Sequence, residues 1–193
     1  MEPVSAANLR LFLQRLGERC PGPTTLYLLG GSALCLLGSP RVTLDVDYTA
    51  EVGKEDADHF QAVLVKLAAE MQLDLEDVPL AEFVPLPPGT RERHRAVGRF
   101  GQLEVYIFDP YSIALSKIAR GFEADIEDVI FMLDEGLIEF DELEHLFELI
   151  LPKAPEADIV PQEFQSYFEE LRRQVAKRDR KSFPRSWRRQ KDG

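Results

Sequence analysis

Cysteine is nearly absent from this 193-residue sequence: there are two, Cys20 and Cys35. They form no CxxC pair, which excludes a thiolate metal knuckle or a disulfide framework and leaves two reduced, partly buried thiols. Histidine is almost as scarce. His59, His94 and His145 have no partner at ligand spacing, so no histidine chemistry is expected. No apolar run approaches the ~20 residues of a membrane-spanning helix; the longest, around Leu26–Leu37, is broken by Gly30, Gly31 and Ser32. The stretch Met1–Asn8 lacks the basic start and apolar run of a secretory signal, so a cytoplasmic chain without a membrane partner is expected. Positive charge is in deficit as well, with 23 Lys and Arg against 34 Asp and Glu, a net −11. The deficit is uneven: residues 172–193 hold ten basic residues against Asp179 and Asp192, so residues 1–171 carry −19. Such a body repels nucleic acid. A tail with Arg172, Arg173, Arg188 and Arg189 has the charge either to anchor phosphates by counterion release or to fold back on the acidic body. Phe183 and Trp187 in the same tail offer surface for stacking on bases or for packing.

What is present is a foldable mixture, 45% hydrophobic and 30% charged, long enough for one domain or a domain with a helical appendage. Leu9, Leu11, Phe12 and Leu16 predict a helix over Ala6–Leu16, closed by Pro21-Gly22-Pro23. Thr25–Leu29 reads as a strand, Gly30-Gly31-Ser32 as a turn, and Ala33–Leu37 as a compact helix. In Val42–Thr49, apolar Val42, Leu44, Val46 and Tyr48 alternate with Thr43, Asp45, Asp47 and Thr49, the period-2 pattern of a strand with two unlike faces. Phe60, Val63, Leu64, Leu67, Ala68 and Met71 trace a helical stripe that completes a βαβ-like start. Residues 73–108 read as strands and turns, with a hairpin about Gly101, and helices follow at about 111–119, 122–134, 140–151 and 162–178. The fold expected is α/β: a domain over 1–110 with a small mixed sheet flanked by helices, a helical part over 111–180, and a basic tail over 181–193 whose composition leaves disorder open.

The chemistry concentrates at three places. Asp45 and Asp47, two apart on a strand, point the same way and repel unless a hard cation such as Mg²⁺ sits between them. A glycine turn opening a helix presents N–H groups and the positive end of the helix dipole to an anion, and Ser32 can add a hydroxyl. Glu104 sits mid-strand in the second hairpin arm. Each feature alone is an ordinary turn or the wet face of a strand, but together they match what nucleoside triphosphate chemistry requires. Asp109, before Pro110, suits a helix cap or catalysis equally. Arg91, Arg93, Arg95 and Arg99 form either a phosphate strip or the guard of a strand edge.

LGGSALCLLG followed by RVTLDVDY resembles the signature of the nucleotidyltransferase superfamily with a DNA polymerase β-like palm. Residues 114–128 resemble the Lys-x-x-Arg and Asp-x-x-Asp block of prokaryotic stand-alone nucleotidyltransferase-like proteins, among them an uncharacterised domain family and the abortive-infection toxins of toxin–antitoxin operons. The resemblance spans residues 26–134. It implies transfer of a nucleoside monophosphate from an NTP, with Gly30, Gly31 and Ser32 as triphosphate cradle. It assigns Asp45, Asp47 and Glu104 to Mg²⁺ or Mn²⁺, with Glu104 alternatively the general base. Lys117 and Arg120 become nucleotide-binding residues, while Asp125 and Asp128 orient these cations, contact the acceptor or stay solvated. The acceptor it implies is an RNA end, a protein hydroxyl or a small molecule, and an antitoxin is the partner of a toxin reading. The alternative is an inactive member of the fold that binds a nucleotide or a basic partner, for which Glu127, Glu139, Asp141, Glu142, Glu144 and Glu148 supply acidic surface.

Overall fold

Thr24–Leu28 and Leu103–Ile107 bury every second residue, as strands with one covered face must. They are β1 and β5, paired in parallel at the centre of a five-stranded mixed sheet. The computed structural model describes residues 3–182; the expectations resting on Phe183, Trp187 and the tail beyond Ser182 lie outside these residues. The remaining strands are β2 (Asp45–Val52), β3 (Asp74–Asp77) and β4 (Arg95–Phe100), giving the order β3-β2-β1-β5-β4. β4 and β5 are the antiparallel hairpin expected about Gly101.

One face of the sheet is dry. Leu26, Leu28, Val46, Tyr48, Leu103, Val105 and Ile107 are buried there, on the side of α1 (Ala6–Arg19) and α3 (Ala57–Met71), which pack on each other. Each such aliphatic side chain contributes roughly 1.5–3 kcal/mol relative to exposure. α1 starts at Ser5, where a reciprocal capping box joins Ser5 Oγ to the Asn8 N–H at 3.2 Å and Asn8 Oδ1 to the Ser5 N–H at 2.7 Å. The opposite face carries Tyr27, Asp45, Asp47, Thr49, Glu104 and Tyr106, all half-buried. The charged side chains of the sheet's centre lie on this second, open face.

Two expectations fail here. The start is not βαβ, because β1 and β2 are antiparallel. The intervening α2 (Gly30–Leu36) has seven residues, about 10 Å at 1.5 Å per residue, too short to carry the chain back along β1. The alternation from Val42 is not all strand either: β2 begins at Asp45, and Val42 and Leu44 are 59% and 56% exposed. Their segment meets Val4 through a single bridge to Thr43 instead of a neighbouring strand.

After a short α4 (Leu80–Phe83), the chain past β5 is helical: α5 (Pro110–Arg120), α6 (Glu123–Asp134), α7 (Phe140–Ile150) and α8 (Pro161–Ser182). α5 packs on α6, α7 and α8, and Phe147 stacks on Phe168 at 4.1 Å and meets Phe164 edge-on at 4.8 Å. The buried side chains of sheet and helices form one hydrophobic cluster. Among the described residues no helix is long and apolar enough to cross a membrane.

Candidate active site

β1 ends one residue before α2 begins, and that junction is built around Asp47. The Leu29 N–H donates to the Asp47 backbone carbonyl at 3.0 Å, and the Gly31 N–H donates to its carboxylate Oδ2 at 3.1 Å. The start of α2 thus already holds an anion, the protein's own. Both glycines are sterically required. Gly30 has φ +49°, and a Cβ there would stand 1.7 Å from Asp47 Oδ2; a Cβ on Gly31 would stand 2.6 Å from Thr43 Oγ1. Gly30→Ala is therefore expected to push the Asp47 carboxylate aside and cost about 1–3 kcal/mol, read as a lowered urea midpoint with weakened divalent-cation binding by calorimetry.

Ser32 departs from its expected role. It is fully buried, and its hydroxyl lies 2.8 Å from the Leu29 carbonyl and 3.0 Å from the Asp47 carbonyl. With two backbone acceptors at hand, its single proton ties the first turn of α2 to β2. It is turned away from the cavity that Gly30 and Gly31 line.

Asp45 and Asp47 share the open face as their spacing demands, and Asp45 Oδ1 accepts from the Thr43 hydroxyl at 2.7 Å. The third acid beside them is not Glu104. β1 and β5 register Thr25 with Glu104, whereas Asp47 lies opposite the end of β1 at Leu29, about 13 Å further along by strand rise. Glu104 instead meets the Tyr106 hydroxyl at 3.5 Å and Arg99 at 3.8 Å. The carboxylate that joins the pair is Glu76, in parallel register with Asp47 across β2 and β3. Oxygens of Asp45, Asp47 and Glu76 lie within 4.8 Å of one another. Burial, then the charge of Asp45, raises the Asp47 carboxyl above its ordinary range; Glu76 adds to this, while the Gly31 N–H and Lys117 oppose it. Three hard oxygen donors whose charges strain against one another suit a hard divalent cation.

Across the cavity stands a wall of cations on α5 and the loop before β2. The turn at Gly121, φ +69°, folds α6 back on α5, so the i, i+3 pair Asp125 and Asp128 faces the i, i+3 pair Lys117 and Arg120. Lys117 is 2% exposed, and its Nζ lies 3.2 Å from Asp125 and 2.7 Å from Asp128. Arg120 meets Asp125 at 2.6 Å, and Arg41 meets Asp128 at 2.5 Å and the Ala124 carbonyl at 3.0 Å. The chain Arg41–Asp128–Lys117–Asp125–Arg120 nets one positive charge. Its arginines keep largely exposed side chains, 43% and 59%. The cavity between acids and cations has a volume of about 390 Å³, and Leu80, Phe83, Ile113 and Ile159 give it an apolar side, with Thr43 and Ser116 also on its wall.

Of the residues singled out from sequence, Gly30, Gly31, Asp45, Asp47, Lys117 and Arg120 line this one cavity, with Asp125 and Asp128 behind the cations as their partners. Glu76, Arg41, Thr43 and Phe83 were missed. The alternation of Asp74 and Glu76 with Leu75 marks Glu76 as an outward strand position, but only the pairing of β3 to β2 aims it at Asp47. Arg41 lies just before the segment read as a strand from Val42, and nothing local connects it to Asp128.

Asp109 resolves as a cap. It is fully buried at the start of α5, accepts from the Tyr111 and Ser112 N–H groups at 3.1 and 3.3 Å and from the Ser112 hydroxyl at 2.7 Å, and takes a two-pronged grip from Arg93 at 2.9 and 2.8 Å. Asp109→Ala is expected to cost about 3 kcal/mol, a lost cap plus a guanidinium left with the Pro88 carbonyl as its remaining hydrogen-bond acceptor, measured as a drop in the urea midpoint. The arginine strip disperses: Arg93 is bound to Asp109, Arg95 to the Leu137 carbonyl, and Arg99 to the Gly101 carbonyl. His59 and His145 are exposed.

The sequence matches the family described as "Nucleotidyltransferase of unknown function (DUF6036)" over residues 12–182. Among solved structures, an antigenic nucleotidyltransferase-like protein from Paracoccidioides brasiliensis is similar at 19% identity and a TM-score of 0.46, covering 85% of this chain and 95% of its own. Among curated proteins none matches.

Proposed function

The chain belongs to the nucleotidyltransferases of unknown function grouped as DUF6036, and on that premise we propose that it transfers a nucleoside monophosphate from a nucleoside triphosphate to an acceptor hydroxyl. One observation carries the reading: a three-carboxylate cluster faces a cation wall braced on a buried lysine across a cavity of about 390 Å³, a size suited to a nucleotide. The donor set fits Mg²⁺ or Mn²⁺ and would hold it on Asp45, Asp47 and Glu76; such an ion supplies charge neutralisation at the phosphate oxygens when bound.

The chain's own residues do the rest. Lys117 is a point charge fixed by Asp125 and Asp128, and it receives the phosphate tail without having to reorganise. Arg120 and Arg41 present planar donors at the cavity mouth, suited to phosphate oxygens. Phe83, Leu80 and Ile159 offer the apolar side on which a base can rest. Gly30 and Gly31 let the Asp47 carboxylate come close enough to the backbone to be held in one orientation. The hydroxyl oxygen of the acceptor forms the new bond to the α-phosphorus, the bond to pyrophosphate breaks with its electron pair going to the pyrophosphate oxygen, and the hydroxyl proton passes to water.

The test is incubation of the protein with each α-labelled NTP, Mg²⁺ or Mn²⁺, and a cell extract. Label should pass to an extract component with release of pyrophosphate, and Asp45→Ala or Asp47→Ala should remove at least 99% of it, about the scale of losing a transition-state contact. Binding of NTP without turnover in any extract would overturn the enzymatic reading in favour of a nucleotide-binding module.

A further inference from the structure

We propose that the cavity selects its nucleotide by an exocyclic amino group read by Ser116, so that ATP is the preferred triphosphate, CTP follows, and GTP and UTP are disfavoured. The proposal rests on the transferase reading above and deepens it. With a divalent cation on Asp45, Asp47 and Glu76 and the phosphate tail at Lys117, Arg120 and Arg41, the charged part of the cavity is occupied. The nucleoside is left the side formed by Val78, Leu80, Phe83, Ile113 and Ile159. Phe83 supplies the one ring of that lining among the described residues. It is 57% exposed, stands outside the hydrophobic cluster, and meets no other ring among the described residues. Its neighbours Leu80 and Val84 are buried, so the backbone beneath it is anchored while the ring stays open to a base. Stacking there accepts any base and favours the larger face of a purine.

Stacking does not tell adenine from guanine. That takes a polar group at the edge of the base, and the cavity has two uncharged polar side chains among the described residues, Thr43 and Ser116. Thr43 gives its proton to Asp45 at 2.7 Å, inside the acid cluster. Ser116 is placed differently. Ile113, Ser116, Lys117 and Arg120 share one face of α5 at i, i+3, i+4 and i+7, so the half-buried Ser116 sits between the apolar side and the cations. Its hydroxyl donates to the Ile113 carbonyl at 2.9 Å. A serine has one proton to give, and with that proton committed the oxygen has only lone pairs to offer the cavity. Lone pairs repel phosphate oxygens, which makes Ser116 a poor partner for the triphosphate, and they accept from an amino group. Adenine and cytosine carry such a donor where guanine and uracil carry a carbonyl oxygen. A carbonyl at this place sets acceptor against acceptor, and losing one neutral hydrogen bond changes affinity on the order of fivefold.

The test is calorimetric binding to the full chain, with Mg²⁺ and no acceptor, of ATP, GTP, CTP, UTP, ITP, N6,N6-dimethyl-ATP and inorganic tripolyphosphate. ITP exchanges the adenine amino group for a carbonyl on an equal ring face, and the dimethyl analogue keeps the nitrogen without its N–H groups. ATP is expected to bind at least about fivefold more tightly than ITP, GTP or the dimethyl analogue, and CTP to exceed UTP by a similar factor. Ser116→Ala should bring ATP to the level of ITP while ITP and tripolyphosphate bind as before, which also shows that the variant is folded. Phe83→Ala should weaken ATP and ITP by one common factor, at least about fivefold. Equal binding of ATP and ITP, a preference for GTP or UTP, a preference that survives Ser116→Ala, or a loss in that variant shared by tripolyphosphate would overturn the proposal and leave the transferase reading standing. Absence of binding by every nucleoside triphosphate, with Mg²⁺ and with Mn²⁺, overturns the transferase reading and this selectivity together.

Discussion

Asp47→Asn is expected to make the cation-free protein more stable while removing its response to divalent cations. In the fold the Asp47 carboxyl is raised above its ordinary value by burial and by Asp45 beside it. A carboxyl raised on folding lends stability that is complete below the unfolded pKa, about 3.9, and is lost as pH climbs through the higher folded value. At neutral pH the native protein therefore carries the cost of a poorly solvated charge crowded by two others. Asparagine removes that charge and keeps an oxygen for the Gly31 N–H, so the cation-free variant should gain about 1–2 kcal/mol, or roughly 2–6 °C in melting temperature. In the parent protein Mg²⁺ or Mn²⁺ should raise the melting temperature more at pH 8 than at pH 4.5, because protons compete for the same oxygens. The variant should show no such rise at either pH. A variant that melts lower than the parent without cation, or responds to cation equally, would show that Asp45, Asp47 and Glu76 do not act as one cluster.

Lys117→Met should be the most damaging single change at the site. Its ammonium lies between two buried carboxylates at 3.2 and 2.7 Å, and removing it leaves Asp125 and Asp128 with only Arg120 and Arg41, whose side chains are 59% and 43% exposed. Breaking a buried pair from one side costs about 3–5 kcal/mol, since a charge is left in a poor solvent. The triple variant Lys117→Met, Asp125→Asn, Asp128→Asn removes the stranded charges and should recover more than half of the loss. Both are measured as urea midpoints. NTP binding, followed by calorimetry, should fall at least tenfold in the triple variant although its stability returns, which separates the structural role of Lys117 from phosphate binding. A loss below about 1 kcal/mol for Lys117→Met would mean that the lysine is solvated and not the brace of the cation wall.

Local spacing made several parts of this protein legible. Period two placed Asp45 and Asp47 on one face because successive strand side chains must alternate, and period 3.6 placed Lys117 with Arg120 and Asp125 with Asp128. The glycines opening α2 marked a close backbone approach, although the anion they admit is Asp47. The helical stripe of α3 and the hairpin about Gly101 followed from patterns a few residues long. These rules act within one element, where covalent geometry fixes which side chains are neighbours.

Pairing between elements was not legible in that way. Glu104 and Glu76 are both acidic strand residues, and nothing within either strand says which will stand beside Asp47. The register of β3 on β2 and of β5 on β1 decides it, by moving one acid next to the pair and the other about 13 Å away along the strand direction. The burial of Ser32 was likewise decided by the Leu29 and Asp47 carbonyls, which come together only when β2 returns antiparallel to β1. Arg41 joined the cation wall because the loop before β2 passes over α6, 87 residues later in the chain. The composition and short-range periodicity of this sequence determined its element types and the residue pairs that share a face, whereas strand order and helix docking decided which pairs meet. That second step depends on burying one continuous apolar cluster, to which residues far apart in the chain contribute and which no short window contains.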